Sequence, residues 1–324
     1  MKPSLLLVLV LGVSIFTGYA GAEELRVGIL ADASSDFWTK LRDEAQTAAK
    51  SLDMTLDFRV PAPPTTEQQE ALAQKMIDAG VKALAICPAK AAKQKDFLEA
   101  LAQRIPVIVL FKEVPNSTDL AFLGKDNRES GRLLATLIRE VVPEGLKIQV
   151  LCDDQTRPAT QQRIESFREA LGSYAIVDAV LEDKGDRMLG WANVIDSLES
   201  RPEIAAFVGM QDYHGPMILR AVLEKNRGKW VRVVSCGSDP STLKGLEDGT
   251  VHGLVVDDAA GSAQAIVKGL AAFARNDKEG IEETKVATIP VTILKTEGTL
   301  SPEDMMNALQ LQLPWVSEAT PDRP

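Results

Sequence analysis

The feature that most restricts this chain is an alternation carried through twice. Short, continuous runs of β-branched and aliphatic residues are each followed by an amphipathic stretch. The first series of runs is LRVGILA (25–31), MTLDFRV, KALAIC, PVIVLF (106–111) and the short AFLG; the second is KIQVLC, AIVDAVL, IAAFVG, WVRVVSC and VHGLVV. Helical patterns separate them, among them FWTKLRDEAQTAAKSL after the first run and, in the second series, 129–141, 160–171, 187–198, 213–226 and a long one from Ala259 to Arg275. Runs without polar alternation predict strands covered on both faces, which means parallel strands with helices on each side. The expected fold class is α/β, with two doubly wound parallel sheets. The boundary between the series, LGKDN near 123–127, is a short polar crossing rather than a flexible linker. In VATIPVTILKT (286–296) Pro290 interrupts the pattern, which a central strand tolerates poorly, so the chain is expected to pass between lobes there.

The first 22 residues, MKPSLLLVLVLGVSIFTGYAGA, combine Lys2, an apolar core from Leu5 to Phe16 and a small-residue end at Ala20-Gly21-Ala22. That is the pattern of a cleaved signal peptide, too short for a comfortable membrane span. No cysteine stands at the cleavage point, so a lipid anchor is not expected, and the mature chain should begin at Glu23 outside the cytoplasm. The remainder exceeds what one hydrophobic core usually serves, which favours two domains. A net charge of −10 argues against nucleic acid or anionic lipid as the main partner, since both need a basic patch. Cys87, Cys152 and Cys236 each end an apolar run and are expected as buried free thiols. The tail SEATPDRP carries no signal.

The familiar chemistries of α/β sheets are missing from the sequence. No glycine-rich dinucleotide or P-loop fingerprint follows a strand, and no G-x-S-x-G elbow exists. His214 and His252 are isolated and lack metal-ligand spacing, so each is expected at the surface or at a helix start. No catalytic residue, metal or cofactor is nominated. What remains is a cleft, because ligands of open parallel sheets bind beyond the carboxyl ends of the strands, and two facing lobes can close on one. The loops at those ends hold Ser34-Ser35-Asp36-Phe37-Trp38, Phe111-Lys112, Asp153-Asp154-Gln155, GMQDYHG, GSDP and Asp257-Asp258. With only four Trp, three Tyr and nine Phe in the chain, an aromatic pair where a strand gives way to a helix stands out. Acceptors, forked donors and a flat apolar face are the mixture a neutral polyol needs.

The markers DFW, GVKALAICP, IPVIVLFKEVP, KDNRESGRLLATLI, RPATQQRIESFREAL, GDRMLGWANVIDSLESRPEIAAFVGMQD and LEDGTVHGLVV occur in order from about Leu25 to Lys295. In that order and spacing the chain resembles the periplasmic sugar-binding proteins of the ribose and galactose type. The resemblance implies two Rossmann-like lobes joined by three hinge crossings: residues 23–125 with 258–288, and 126–257 with 289–297, followed by a tail at 298–324. It implies a periplasmic monomer that takes a small carbohydrate-like ligand to a membrane ABC permease or to a sensor protein, with no nucleic acid involved. A sugar-modifying enzyme is the third, weaker alternative.

Position by position, the resemblance makes Phe37 and Trp38 the aromatic pair on the sugar ring, the competing expectation being that Ser35 or Asp36 caps the helix and both rings pack beneath it. It makes Arg163 the forked donor, unless it is a surface charge paired with Glu165 or Glu169. Gln211, before Asp212, stands where that family usually has Asn; Lys112 stands for an Arg; Asp257 stands for an Asn or Gln, or else caps the hinge. Two acceptors are displaced: Phe111 replaces an Asp or Asn, and Gly237 replaces an Asp for which Asp239 compensates only if the loop is rearranged. Specificity should therefore differ from the standard ribose or glucose form, with a deoxy sugar, a sugar alcohol or another small polar ligand as the expected guest.

Overall fold

A computed structural model describes residues 25–117 and 120–296. The expected leader at 1–22 and the tail at 298–324 lie outside the described residues. The first sheet runs, in spatial order, Met54–Arg59 (β2), Leu25–Leu30 (β1), Leu84–Ile86 (β3), Val107–Leu110 (β4) and Ala121–Leu123 (β5), all parallel. The second runs Val291–Lys295 (β11), Gly253–Asp257 (β10), Arg232–Cys236 (β9), Ile204–Gly209 (β8), Lys147–Cys152 (β6) and Ile176–Glu182 (β7). Here only β11 is antiparallel, pairing with β10 along the sheet edge. That edge position is the one at which Pro290, just before β11, removes no donor from the middle of the sheet.

Helices cover both faces of each sheet, as the unbroken apolar runs require. Asp36–Ser51 (α1) and Ala259–Ala274 (α9) close one face of the first sheet through Leu41, Ala45, Ile266 and Leu270. Thr66–Asp78 (α2) and Lys95–Ala102 (α3) close the other through Met76 and Leu98. In the second lobe Asn127–Val141 (α4) and Pro158–Leu171 (α5) pack together through Leu134, Ile138 and Phe167. Arg187–Ser200 (α6) and His214–Glu224 (α7) bury Val194, Ile218 and Val222 on the opposite face. Pro240–Glu247 (α8) and Lys278–Val286 (α10) complete the described helices; the latter had no counterpart in the sequence reading. Gly131 brings α4 against α5 so closely that a Cβ there would lie 2.2 Å from the Arg163 carbonyl oxygen.

Three strands of chain connect the sheets, at Gly124–Asp126, Asp257–Asp258 and 287–290, and they are laced to one another. The Ile289 N–H donates to the Gly124 carbonyl at 2.7 Å, Asp126 N–H to Ile289 at 3.1 Å, and Asp258 N–H to Pro290 at 3.1 Å. The first two leave from the carboxyl ends of β5 and β10, and the third, which follows α10, enters β11 beside the end of β10, so those edges flank the crossings. Asp126 and Asp258 cap α4 and α9 with their side chains immediately after crossing.

Of the two histidines expected at the surface or at a helix start, His214 meets the second expectation and His252 meets neither. His214 does open α7, but it and His252 are wholly buried. His252 precedes β10 and accepts the Val233 N–H on Nδ1 at 3.1 Å, while the Arg232 guanidinium stands 2.9 Å from its Nε2. Burial, and next the Arg232 charge, depress its pKa to about 3. Because the unfolded chain takes up this proton near the ordinary value and the folded chain does not, the unfolded state binds more protons as pH falls below that value. Stability is then lost on acidification, by about 1.4 kcal/mol per pH unit from this one group. Urea unfolding of His252→Gln between pH 6.5 and 5 should show a pH slope smaller than wild type by about that amount; equal slopes would remove His252 as the cause.

Candidate functional site

On the first lobe the loop after β1 turns Asp32 between two donors. Its carboxylate accepts the Trp38 indole N–H at 2.8 Å and the Lys112 ammonium at 2.7 Å. Lys112 also donates to the Pro88 carbonyl at 3.2 Å, so one cation ties the ends of β1, β3 and β4 together. Ser35 caps α1 by accepting the Trp38 N–H at 3.3 Å. The two rings of the aromatic pair divide their roles: Trp38 is 6% exposed and belongs to the lobe's core, whereas Phe37 is only half-buried.

Phe111 completes this wall. Its backbone lies in the left-handed region at φ 60°, and the Lys112 N–H reaches back to the Leu110 carbonyl at 2.6 Å, closing a tight three-residue turn. Such a conformation is strained for a bulky residue and persists only where the surroundings impose it. Here the ring is held edge-on against Phe37 and Trp38, at centroid distances of 5.5 and 5.6 Å. Phe111 is thus an apolar prop for the two rings, and Asp32 supplies the carboxylate beside Lys112.

On the second lobe a buried polar lattice surrounds Arg163, itself 6% exposed. Its guanidinium donates to the Met210 carbonyl and to Asn127 Oδ1, lies 3.5 Å from Gln211 Oε1 and 3.8 Å from Cys236 Sγ, and leaves Nε without an acceptor. The other end of the Gln211 amide donates to Asp153 at 2.9 Å and Thr160 at 3.2 Å. Burial works against the Asp153 charge, but bonds from Thr160, its own loop and Gln211, with Arg157 nearby, hold the carboxyl below the usual aspartate range. Arg163 is therefore neither a surface charge nor paired with Glu165, whose partner is Arg128.

The loop after β8 is pinned from beneath. The Gln211 N–H donates to His214 Nδ1 at 3.0 Å, which places the ring proton on Nε2, 2.9 Å from buried Asp183. Tyr213 donates its hydroxyl to the same carboxylate at 2.7 Å. From above, Gly237 packs on the loop with φ 95°, and a Cβ there would lie 2.7 Å from Asp212 Cα. Glycine at 237 thus admits the Asp212 backbone where a larger residue would stand. Asp239, two residues on, spends one carboxylate oxygen capping α8, on the Ser241 N–H at 2.9 Å and its hydroxyl at 2.6 Å.

At the crossings, Lys125 draws together the last two expected residues. Its ammonium is 3.1 Å from Asp212 and 3.2 Å from Asp257. The Lys125 charge holds the Asp212 carboxyl below the ordinary range. Burial pushes Asp257 up, with Lys125 pulling the other way. The structure therefore groups Phe37, Trp38 and Lys112 around Phe111 and Asp32, Arg163 with Gln211, and Asp212 with Asp257 around Lys125; Asp239 caps α8. The sequence reading missed Asp32, Lys125, Asn127 and the Asp183–His214 pair as functional candidates. Asp32 alone had a usable signal, as an acidic residue directly beyond an apolar strand.

Burial pushes the Cys152 thiol up to about 12 and raises Cys87 and Cys236 as well, so these thiols are structural rather than nucleophilic. Among the described residues no cluster of His, Cys, Asp and Glu is placed to hold a metal, and no helix is long and apolar enough to cross a membrane.

Two doubly wound lobes with polar, partly aromatic walls at their strand ends, hinged at three crossings, define the class of two-lobed α/β binding proteins. The chain belongs to the periplasmic binding protein family, whose domain matches residues 27–278. It is 22% identical over 228 residues to the ribose import binding protein RbsB of Bacillus subtilis (strain 168), covering 70% of this chain and 74% of that one. Among solved structures, a mutant XylFII–LytSN complex superimposes with a TM-score of 0.71 at 18% identity, over 86% of this chain and 99% of that one. The arabinose binding protein AraP from Geobacillus stearothermophilus gives 0.68 at 18% identity, over 88% and 99%.

Proposed function

We propose that this protein is an extracytoplasmic solute-binding protein that captures a small carbohydrate-like ligand between its lobes and delivers it to an ABC importer. The observation that carries this reading is the division of chemistry around the crossings. An aromatic cluster with a carboxylate–ammonium pair lies at the strand ends of one lobe, and a buried guanidinium bonded to uncharged acceptors lies at those of the other. Phe37 supplies the flat face with Trp38 behind it. Lys112 and Arg163 supply donors, Asp212 and Asp257 acceptors, Gln211 both roles, and Asp239 an acceptor from the rim. The closing units are the two discontinuous lobes, 23–125 with 258–288 and 126–257 with 289–297. Ligand contact with both stabilises the closed form, and partners recognise that form. Relatives named for ribose and arabinose binding support the carbohydrate class.

A thermal-shift screen over pentoses, hexoses, deoxy sugars, polyols and sugar acids tests the reading. A true ligand at a hundred times its Kd should add about 2.7 kcal/mol to stability, in a saturable way. A flat response across all these classes would overturn the carbohydrate assignment. Chemical conversion of a hit by the purified protein would replace capture with catalysis. Presentation of the ligand to a membrane sensor is the second reading. The XylFII–LytSN complex favours it, because there a protein of this fold is held by a protein partner.

A further inference from the structure

Lys125 stands on the first crossing directly after β5, and its backbone bridges to Ile289 on the third. Its ammonium reaches both Asp212 oxygens, at 3.1 and 3.3 Å, and Asp257 at 3.2 Å. These three groups belong to three different parts of the hinge machinery: the exit of the first lobe, the β8 loop of the second, and the second crossing. Lys125 and Asp257 are only about a fifth exposed, at 22% and 21% of the side chain, so solvent screens their attraction less than that of a surface pair, whereas Asp212, at 59%, reaches Lys125 from the solvent side. The other titratable or charged groups bearing on the cluster are Arg163 from α5, His214 at the start of α7, Cys236 at the end of β9 and Cys87 at the end of β3. Of these Arg163 carries a standing positive charge that opposes Lys125. The two carboxylates are the groups that hold the ammonium in place.

We propose that Lys125 is a positioning residue, a hinge-borne counter-ion that fixes the angle between the lobes before any ligand arrives by tethering Asp212 and Asp257 to the first crossing. Its importance for capture rests on the cleft being the ligand site, but the angle itself is measured without ligand. Spin labels on exposed outer-helix positions of the two lobes, introduced as Lys75→Cys and Glu169→Cys, report it as a distance distribution. The double-labelled parent should give one narrow peak. Lys125→Met should broaden or displace that peak by several ångströms, Asp212→Asn should do the same, and Lys125→Arg should restore the narrow form. Near-ultraviolet circular dichroism establishes that each variant is folded; should Lys125→Met not fold, Asp212→Asn carries the test alone. An unchanged distribution in the folded variants overturns the proposal. That outcome is separable from failure of the carbohydrate reading, since a sugar can still raise the melting temperature when the tether is immaterial, and the tether can operate when every sugar fails.

Discussion

Restoring an acid at position 237, as Gly237→Asp, should lower the free energy of unfolding by about 3–5 kcal/mol, the sum of a left-handed backbone penalty and an overpacked contact. The φ of 95° disfavours any side chain, and the new Cβ would meet Asp212 Cα at 2.7 Å and its carbonyl oxygen at 2.9 Å. Those neighbours are backbone, flanked by the Gln211 N–H bonded to His214 and by the Asp212 carboxylate paired with Lys125, so they have little freedom to retreat. Gly237→Ala should lose nearly as much, because the first carbon does the damage. Urea unfolding of both variants checks this; a cost under about 1 kcal/mol for either would show that the loop yields as a flexible surface site does. The practical meaning is that the resemblance's missing acceptor cannot be put back by one substitution, since the Asp212 main chain occupies its place.

Arg163→Ala should weaken binding of the ligand identified by thermal shift by about 2–4 kcal/mol, roughly 30- to 1,000-fold in Kd, as expected for losing a forked, charge-assisted donor from a sheltered site. Calorimetry measures it directly, and an unchanged Kd would remove Arg163 from the site. From sequence alone the fold should be untouched by this change. The structure says otherwise: the guanidinium braces the Met210 carbonyl and Asn127, and its removal strands both acceptors. A stability loss of about 1–3 kcal/mol is expected alongside. Measuring Kd well below the variant's melting transition separates the two effects.

The two-lobed architecture was legible because its cause is local and repeated. An apolar run such as IAAFVG can be satisfied only between two helical layers, and ten such runs leave few alternatives. The antiparallel edge strand β11 was less so: Pro290 marked an irregularity, but no pattern in VTILK tells which way the strand lies. At the site, residues announced by type and loop position, such as Phe37, Arg163 and Gln211, were within reach. Those depending on contacts distant in sequence were not. Asp32 and Lys112 are 80 residues apart, Lys125 and Asp212 87 apart, and Asp183 and His214 31 apart. Each acquires its role only once the sheets are assembled. Trp38 shows the same limit within a single turn, since capping by Ser35 and the bond to Asp32 accompany a buried ring while its neighbour Phe37 stays half-buried.

The first lobe borrows α9 from far along the chain, and Ile266, Val267 and Leu270 sit in its interior against Leu41 and Ala45. No amino-terminal fragment that stops short of Ala259 contains what this lobe needs to become solid. During synthesis, therefore, the segment translated earliest has to wait for one translated near the end, and the middle portion, α4 to β10, is the stretch able to settle first. Vectorial folding from the amino terminus, usual for strings of independent modules, is closed to this topology.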